Sequence, residues 1–287
     1  MFKKPLLLLF VGLGTLVCAK PNIVVSILPE QTFVKKIAKE MADVTVMVQP
    51  GSNPHSYEPK PSQMVALSKA DIYFSIGVEF EEVWLQRFKT QNKNLRFVDI
   101  SENVEKIKMA EHHHEEHEAE HEEHHHHGEL DPHTWTSPKN VAVMAQNICN
   151  TLCEIDGENS ANYRANLESF LKEIAATDAK IKEILKNTGA GTRFMVFHPS
   201  WGYFAKEYGL QEVAIEVEGK NPKPKEIMMI IDEAKEEHVK LIFAQPEFSD
   251  KSAKLIAKEA GVSVFKISPL AADWSDNLIK MATQIAK

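Results

Sequence analysis

Residues 159–187 read NSANYRANLESFLKEIAATDAKIKEILKN, a stretch that predicts one long helix. It contains neither proline nor glycine, and Gly189 and Gly191 follow it as stop signals. At about 1.5 Å per residue the helix would be about 40 Å long, roughly the length of a whole lobe. We therefore expect a rigid linking helix, assigned to residues 157–189, between two lobes. The apolar residues that form its single stripe are Tyr163, Leu167, Phe170, Leu171, Ile174, Ile181, Ile184 and Leu185.

Short strand-like runs alternate with helical patterns on both sides of this helix. The β-branched run at residues 22–28 is followed by helical spacing through Phe33 and Ile37. Such alternation indicates βαβ units and parallel sheets. We therefore expect an α/β fold with two lobes, each with a mostly parallel sheet flanked by helices. The further strand signals lie at residues 44–48, 72–76, 194–197, 213–217, 241–244 and 262–267.

The composition is that of a folded globular protein. The chain has 287 residues, 43% of them hydrophobic, and a formal net charge of −8. This length is sufficient for two lobes, and we assign residues 20–156 to the first and 190–287 to the second. The acidic balance argues against nucleic acid as a partner, because phosphate backbones require clustered Lys and Arg.

The first segment, residues 1–19, is expected to be a secretory signal peptide. Two lysines precede an apolar run at residues 6–17, which is short for a membrane span. The run ends at Val17-Cys18-Ala19, a small-x-small cleavage pattern. Cleavage after Ala19 would release a soluble periplasmic chain. The alternative is a lipid anchor through Cys18, although the bulky Val17 before it fits that reading poorly.

A His/Glu-rich segment at residues 111–129 interrupts the first lobe. It has nine His, eight Glu and no Lys or Arg, so nothing in it could bury a core. We expect a disordered, solvated loop that serves as an auxiliary weak zinc-binding segment, since imidazole and carboxylate both bind Zn²⁺. The alternative is a simple linker. Its two HExxH matches, which begin at His117 and His121, arise from the two-letter composition and lack the apolar helix face that a metalloprotease uses.

Three other histidines occupy equivalent positions in the predicted topology. His55 lies in a Pro/Gly loop after a strand, His133 lies between the acidic segment and a helix, and His198 ends a strand. Ligands bind at the carboxyl ends of strands in open α/β sheets. Three imidazoles at tetrahedral spacing form a zinc site with one open position. These residues are therefore the candidate metal ligands.

Four sequence motifs carry a resemblance to a known family. They are NPHSYEPKPS at residues 53–62, DPHTW at 131–135, FHPSWGYF at 197–204 and FAQPEF at 243–248. Together with the His/Glu-rich loop and the linking helix, they resemble the periplasmic zinc-binding proteins of ABC importers, the ZnuA type, over essentially the whole mature chain.

The resemblance implies a specific function. One Zn²⁺ would be held in the cleft between two α/β lobes by His55, His133 and His198. The protein would act as a monomer and deliver the ion to a zinc permease in the inner membrane, which works with a cytoplasmic ATPase. The chain itself has no GxxxxGK[ST] nucleotide-binding loop.

Two details of the motifs concern the choice of metal and the fourth ligand. Manganese and iron members of the wider family tend to carry a carboxylate where His198 stands, and an all-imidazole set suits zinc. Relatives usually have Asp before Pro-Leu near the carboxyl end, where this chain has Ser268. We therefore expect water or a nearby carboxylate in the fourth place, with Glu247 and Asp273 as open candidates. Asp131 could orient His133 or cap the turn before Pro132.

Two alternatives to zinc capture remain at this point. The first is a receptor of the same kind for manganese or another divalent metal. The second is a zinc-dependent hydrolase, because three His and an open position also describe a catalytic zinc. No sequence motif supplies the base that a hydrolase would need.

Overall fold

Parallel strands form two four-stranded sheets in the parts of the chain that the computed structural model describes, residues 20–109, 130–217 and 220–287. The strand order is β2-β1-β3-β4 in the first sheet and β6-β5-β7-β8 in the second, so both sheets have the same topology. All pairings within them are parallel. The expected α/β fold with two parallel-sheet lobes is confirmed. The proposed signal peptide and the His/Glu-rich segment lie outside the described residues.

Each predicted strand run overlaps an observed strand, and β4 is a further strand that the sequence did not predict. The strands are β1 Asn22–Val25, β2 Asp43–Val46, β3 Ile72–Ser75, β4 Arg96–Asp99, β5 Arg193–Val196, β6 Gln211–Ala214, β7 Leu241–Ala244 and β8 Ser263–Lys266. The helices are α1 Leu28–Ala38, α2 Pro61–Ser68, α3 Glu79–Gln91, α4 Pro138–Ile155, α5 Ser160–Leu185, α6 Gly202–Tyr208, α7 Pro224–Glu236, α8 Lys251–Ala260 and α9 Trp274–Ile285. Within the described ranges, no helix has both the length and the hydropathy to span a membrane.

The side-chain alternation of strand β5 connects the second sheet to two apolar layers. Phe194 and Val196 face a core that continues into the first lobe. Met195 and Phe197 point to the opposite face, where they pack with residues of α7 and α8 such as Ile230. Successive strand residues point to opposite faces, so one short strand can serve both layers. The second sheet is therefore covered on both faces.

Helix α5 is the predicted long helix. It has 26 residues and buries the apolar stripe that includes Tyr163, Phe170 and Ile181. It packs against α1 and α4 of the first lobe and against α9 near the carboxyl end. Asn166 on α5 also donates a hydrogen bond to the carbonyl oxygen of Ile37 at 2.9 Å. The long helix is thus packed against two helices of the first lobe and against the carboxyl-terminal helix.

Helix α9 returns to the first lobe and ties the two lobes together. The Trp274 ring contacts the Phe33 ring edge-on, with centroids 5.6 Å apart. Trp274 Nε1 donates to the carbonyl oxygen of Trp135 at 2.7 Å, and Trp135 Nε1 donates to the carbonyl oxygen of Pro269 at 2.7 Å. Both tryptophans are almost completely buried. We call these two indole hydrogen bonds, between residues 135 and 269 and between 274 and 135, the indole tie.

Candidate metal centre

The cleft between the lobes lies where the strand order reverses in each sheet. In both sheets the central pair, β1 with β3 and β5 with β7, is the point where connections leave in opposite directions. Ligands bind outside the carboxyl ends of strands at such points. His198 follows β5 directly and Glu247 follows β7, whereas Glu79 begins the helix after β3. The lining of the cleft includes His55, His133 and His198.

The structure brings the three candidate imidazoles together. The ring centroids of His55 and His198 are 4.6 Å apart, and those of His133 and His198 are 5.3 Å apart. The Nε2 atoms of His55 and His198 are 3.2 Å apart. Their side chains differ in exposure, at 27% for His55 and 8% for each of the other two. His55 therefore lies at the rim of the site, and the other two lie at its floor.

A carboxylate faces the Nδ1 atom of each ring. The distances are 2.5 Å from His55 to Glu79 Oε2, 2.7 Å from His133 to Asp131 Oδ1 and 2.7 Å from His198 to Glu216 Oε1. An ionised carboxylate only accepts hydrogen bonds, so these contacts place the ring proton on Nδ1 and leave the Nε2 lone pair free. Carboxylates behind imidazoles in this way fix the ring orientation and make Nε2 a better metal donor.

The contacts between the carboxylates and the imidazoles also shift the pKa values of some of these groups. The hydrogen bond to His55 lowers the pKa of Glu79 below its ordinary value. Burial lowers the pKa of His198, although the hydrogen bond that its ring donates to Glu216 opposes this effect. A lowered pKa keeps the His198 ring neutral to more acidic pH, and the neutral ring is the form that binds a metal.

The position of His198 is fixed by the loop after β7. Gln245 accepts a hydrogen bond from the His198 backbone N–H at 2.8 Å and donates from Nε2 to the His198 carbonyl oxygen at 2.8 Å. The Phe248 ring stacks on the His198 ring, with centroids 5.2 Å apart. Because both ends of this loop hold His198, the residues between them also lie beside the imidazole cluster.

The segment that carries His133 is fixed by a contact between the lobes. Asp131 Oδ1 accepts from the His133 backbone N–H at 2.8 Å as well as facing its ring, so both roles considered for Asp131 are present. Tyr203 of α6 donates its hydroxyl to the Asp131 carbonyl oxygen at 2.7 Å. Gly202 allows this close approach, because a Cβ there would lie 2.8 Å from Asp131 Oδ2.

A buried carboxylate supports the turn after His198. Glu212 Oε1 accepts from the backbone N–H groups of Ser200 and Trp201 at 3.0 and 2.8 Å. Burial raises its pKa to about 8, and the nearby charge of Asp131 contributes to that shift. Glu212 therefore shapes the turn without a direct contact to an imidazole.

The distance between the Nε2 atoms of His55 and His198 fits two ligands of one zinc ion. Two nitrogens on a tetrahedral Zn²⁺ with bonds of about 2.0–2.1 Å would be about 3.3 Å apart, close to the 3.2 Å between His55 and His198. In the described parts of the chain, no group of three or more His, Cys, Asp or Glu side chains already has the arrangement of a metal shell. A shell that uses all three imidazoles therefore requires movement of at least one of these side chains.

The two candidates for a fourth ligand, Glu247 and Asp273, differ in their position relative to the cleft. Glu247 lines the cleft, whereas Asp273 is exposed at the start of α9 and does not. Ser268 donates its hydroxyl to Glu247 Oε1, and Glu247 Oε2 is a buried atom with no hydrogen-bond partner. Burial raises the pKa of Glu247 above its ordinary value. The lining of the cleft thus includes a carboxylate, one oxygen of which the protein leaves unpaired.

Several residues of the site were not identified from the sequence. The partners Glu79 and Glu216 lie 24 and 18 positions from the histidines that they contact. Both follow strand ends, and that position was the available signal. Trp135 lines the cleft as well as being buried, whereas Trp201 and Tyr203 are buried without being part of the lining.

Comparison with known proteins identifies the family of this chain. Residues 23–287 match the family model ZnuA, described as "Zinc-uptake complex component A periplasmic". The iron-binding protein YfeA of Yersinia pestis is 27% identical over 237 residues, which are 80% of this chain and 71% of YfeA. The manganese ABC transporter substrate-binding lipoprotein scaA of Streptococcus gordonii is 27% identical over 283 residues, which are 91% of this chain and 86% of that protein.

The likeness extends to solved structures. The crystal structure of a ZnuA deletion mutant with zinc bound is 39% identical, with a TM-score of 0.83, and the match covers 93% of this chain and 97% of that one. Proteins of this family bind substrates for ABC importers and are not enzymes, so the zinc-dependent hydrolase alternative is dropped. The convergence of imidazoles in an interlobe cleft and the family match over nearly the whole chain lead to one conclusion: this protein belongs to the ZnuA family of metal-binding solute-binding components of ABC importers.

Proposed function

We propose that this protein captures Zn²⁺ with His55, His133 and His198 and delivers it to a zinc ABC permease. The observation that carries the proposal is the pair of Nε2 atoms on His55 and His198, 3.2 Å apart. Because the Nδ1 atoms of both rings face carboxylates, the two Nε2 lone pairs point toward each other. Such a pair is repulsive unless a cation or a proton lies between them. A metal ion satisfies both nitrogens at once.

The choice of zinc follows from the chemistry of the donors. Imidazole nitrogens suit Zn²⁺, whereas Mn²⁺ prefers sites that are richer in carboxylate oxygens. The family description and the 39% identical ZnuA structure with zinc bound support the same choice. Relatives with lower identity are named for iron or manganese, so a receptor for another divalent metal is the outcome that a binding experiment must test.

The cellular setting is part of the proposal. The signal-peptide pattern at residues 1–19 and the family description favour a periplasmic protein, with the linking segment 157–189 between lobes 20–156 and 190–287. A lipid anchor through Cys18 is the alternative, because the similar scaA is a lipoprotein. The partner is an inner-membrane permease with its ATPase, and the segment 111–129 acts as an auxiliary weak collector of zinc.

Titration of the mature protein with zinc at two pH values tests the capture proposal. We expect one tight zinc site near neutral pH and weaker binding below about pH 6.5, because protonated imidazoles no longer bind metal. His198 should protonate at lower pH than an ordinary histidine, since burial lowers its pKa. Isothermal titration calorimetry in competition with a chelator measures both effects. Flat affinity between neutral and mildly acidic pH, or tighter manganese than zinc binding, would contradict the proposal.

Removing a carboxylate behind an imidazole should weaken zinc binding without removing a ligand. Glu216→Ala takes away the partner of His198 Nδ1 and should reduce zinc affinity about 10- to 100-fold. Glu216→Gln keeps an oxygen acceptor and should have a smaller effect. The measurement is the zinc dissociation constant at neutral pH, with exposed Glu259→Ala as the control. Wild-type affinity in Glu216→Ala would show that this contact does not orient the ring.

A further inference from the structure

The cleft has a second kind of donor beside its imidazoles. Glu247 lines the same cleft as His55, His133 and His198. One of its carboxylate oxygens accepts from the Ser268 hydroxyl, and the other is buried without a hydrogen-bond partner. Leaving a buried carboxylate oxygen unpaired is costly, so its presence in the cleft requires an explanation.

The loop geometry places this carboxylate next to the imidazoles. Gln245 is hydrogen-bonded in both directions to the His198 backbone, and the Phe248 ring stacks on the His198 ring. The Phe248 ring is also 6.2 Å from the His55 ring. Glu247 lies between these two anchors in the sequence, so its backbone is held close to His198, and its side chain lines the same cleft.

Ser268 has a defined role in this arrangement. Its hydroxyl donates to Glu247 and also accepts from the Leu270 backbone N–H at 3.0 Å. The hydroxyl is therefore directed by the backbone and fixes one oxygen of the carboxylate. A fixed carboxylate with its other oxygen unpaired has the form of a monodentate metal ligand that is already oriented.

We propose that Glu247 is the fourth ligand of the bound metal, with Ser268 as the residue that positions its carboxylate. This inference rests on the proposed capture of zinc by the three histidines. One carboxylate added to three neutral imidazoles completes a tetrahedral zinc shell. It also adds one hard oxygen donor, which makes Glu247 a residue that determines how well Mn²⁺ competes with zinc.

The test uses the mature protein and the near-isosteric substitution Glu247→Gln. Asp273→Asn is the matched control, because Asp273 was the other candidate for the fourth ligand and lies outside the cleft lining. Zinc and manganese dissociation constants are measured by competition. The visible spectrum of the Co²⁺-loaded protein is recorded because its bands report the ligands around the ion directly.

We expect Glu247→Gln to lower zinc affinity by at least about tenfold, since loss of a ligand should cost no less than loss of a partner behind a ligand. Manganese affinity should fall by a larger factor, and the Co²⁺ bands should shift. Asp273→Asn should match the wild type in all three. Thermal unfolding of the metal-free variants checks their folding, and Glu247→Gln should be about as stable as the wild type because its amide oxygen can still accept from the Ser268 hydroxyl.

Two results overturn this assignment without affecting the capture proposal. One is a Co²⁺ spectrum and a zinc affinity in Glu247→Gln that equal those of the wild type. The other is an equal loss of affinity in Asp273→Asn, which would indicate a general charge effect. Failure of the wild-type protein to bind one zinc or Co²⁺ tightly would instead overturn the capture proposal itself.

Discussion

His198→Ala should abolish tight zinc binding, with a loss of affinity that exceeds the roughly 100-fold range typical of removing a residue behind a ligand. The reason is that His198 faces His55 across 3.2 Å and is held by Gln245, Glu216 and Phe248. Among the residues that the structure describes, the remaining histidine outside the site is the exposed His238. Competition titration with a chromogenic zinc chelator measures the loss.

The controls for this prediction separate the cleft from the acidic segment. Deletion of residues 111–129 should keep one tight site and remove only weak additional binding. His238→Ala, at an exposed position after α7, should behave as the wild type. The opposite pattern, with tight binding lost in the deletion and kept in His198→Ala, would place the tight site in the His/Glu-rich segment.

Trp274→Ala should have the largest effect on stability, a loss of about 3–5 kcal/mol in the free energy of unfolding. The substitution removes a 4% exposed indole that contacts Phe33 and donates to the Trp135 carbonyl oxygen. Trp274→Phe keeps a ring against Phe33 but loses the N–H donor, so it should cost less. Equilibrium urea unfolding of the metal-free protein, followed by circular dichroism, measures both variants.

The matched control for Trp274 is a large apolar residue on the surface. Leu255→Ala, at a position 45% exposed on α8, should change the free energy of unfolding by less than about 0.5 kcal/mol. If Trp274→Ala cost no more than Leu255→Ala, the indole tie would not contribute to the stability of the lobes. Zinc affinity should also fall in Trp274→Ala, because Trp135 lines the cleft.

The elements that follow from local periodicity could be predicted from the sequence. Helix α5 has one apolar stripe and clear stop signals, and its observed range differs from the predicted pattern only at the ends. Strand β4 gave no comparable signal, because its ends Arg96 and Asp99 are exposed and only its middle is partly buried. Strand β1 ends at Val25, earlier than the apolar run suggests, because helix α1 begins at Leu28 with Pro29 in its first turn.

The sequence could predict only those parts of the site that depend on the order of strands and loops. Histidines at strand ends reach one sheet edge whatever the details of packing, which is why His55, His133 and His198 could be expected in one cleft. The partners Glu79 and Glu216 depend on side-chain directions that spacing does not encode. The same limit applied to Glu247 and Asp273, since both lie in similar loops and only the three-dimensional arrangement directs Glu247 into the cleft.

The indole tie has a consequence for how far the lobes can move when metal binds. Separating the lobes would break two buried N–H···O hydrogen bonds and expose two tryptophans to water. We therefore expect the two lobes to keep their relative orientation when the metal binds. Metal binding should then bury little apolar surface, so the heat-capacity change of binding should be small. The overall dimensions of the protein should also be almost the same with and without metal. Within the site, the side chain of His55, which is 27% exposed, is the most accessible of the three imidazoles.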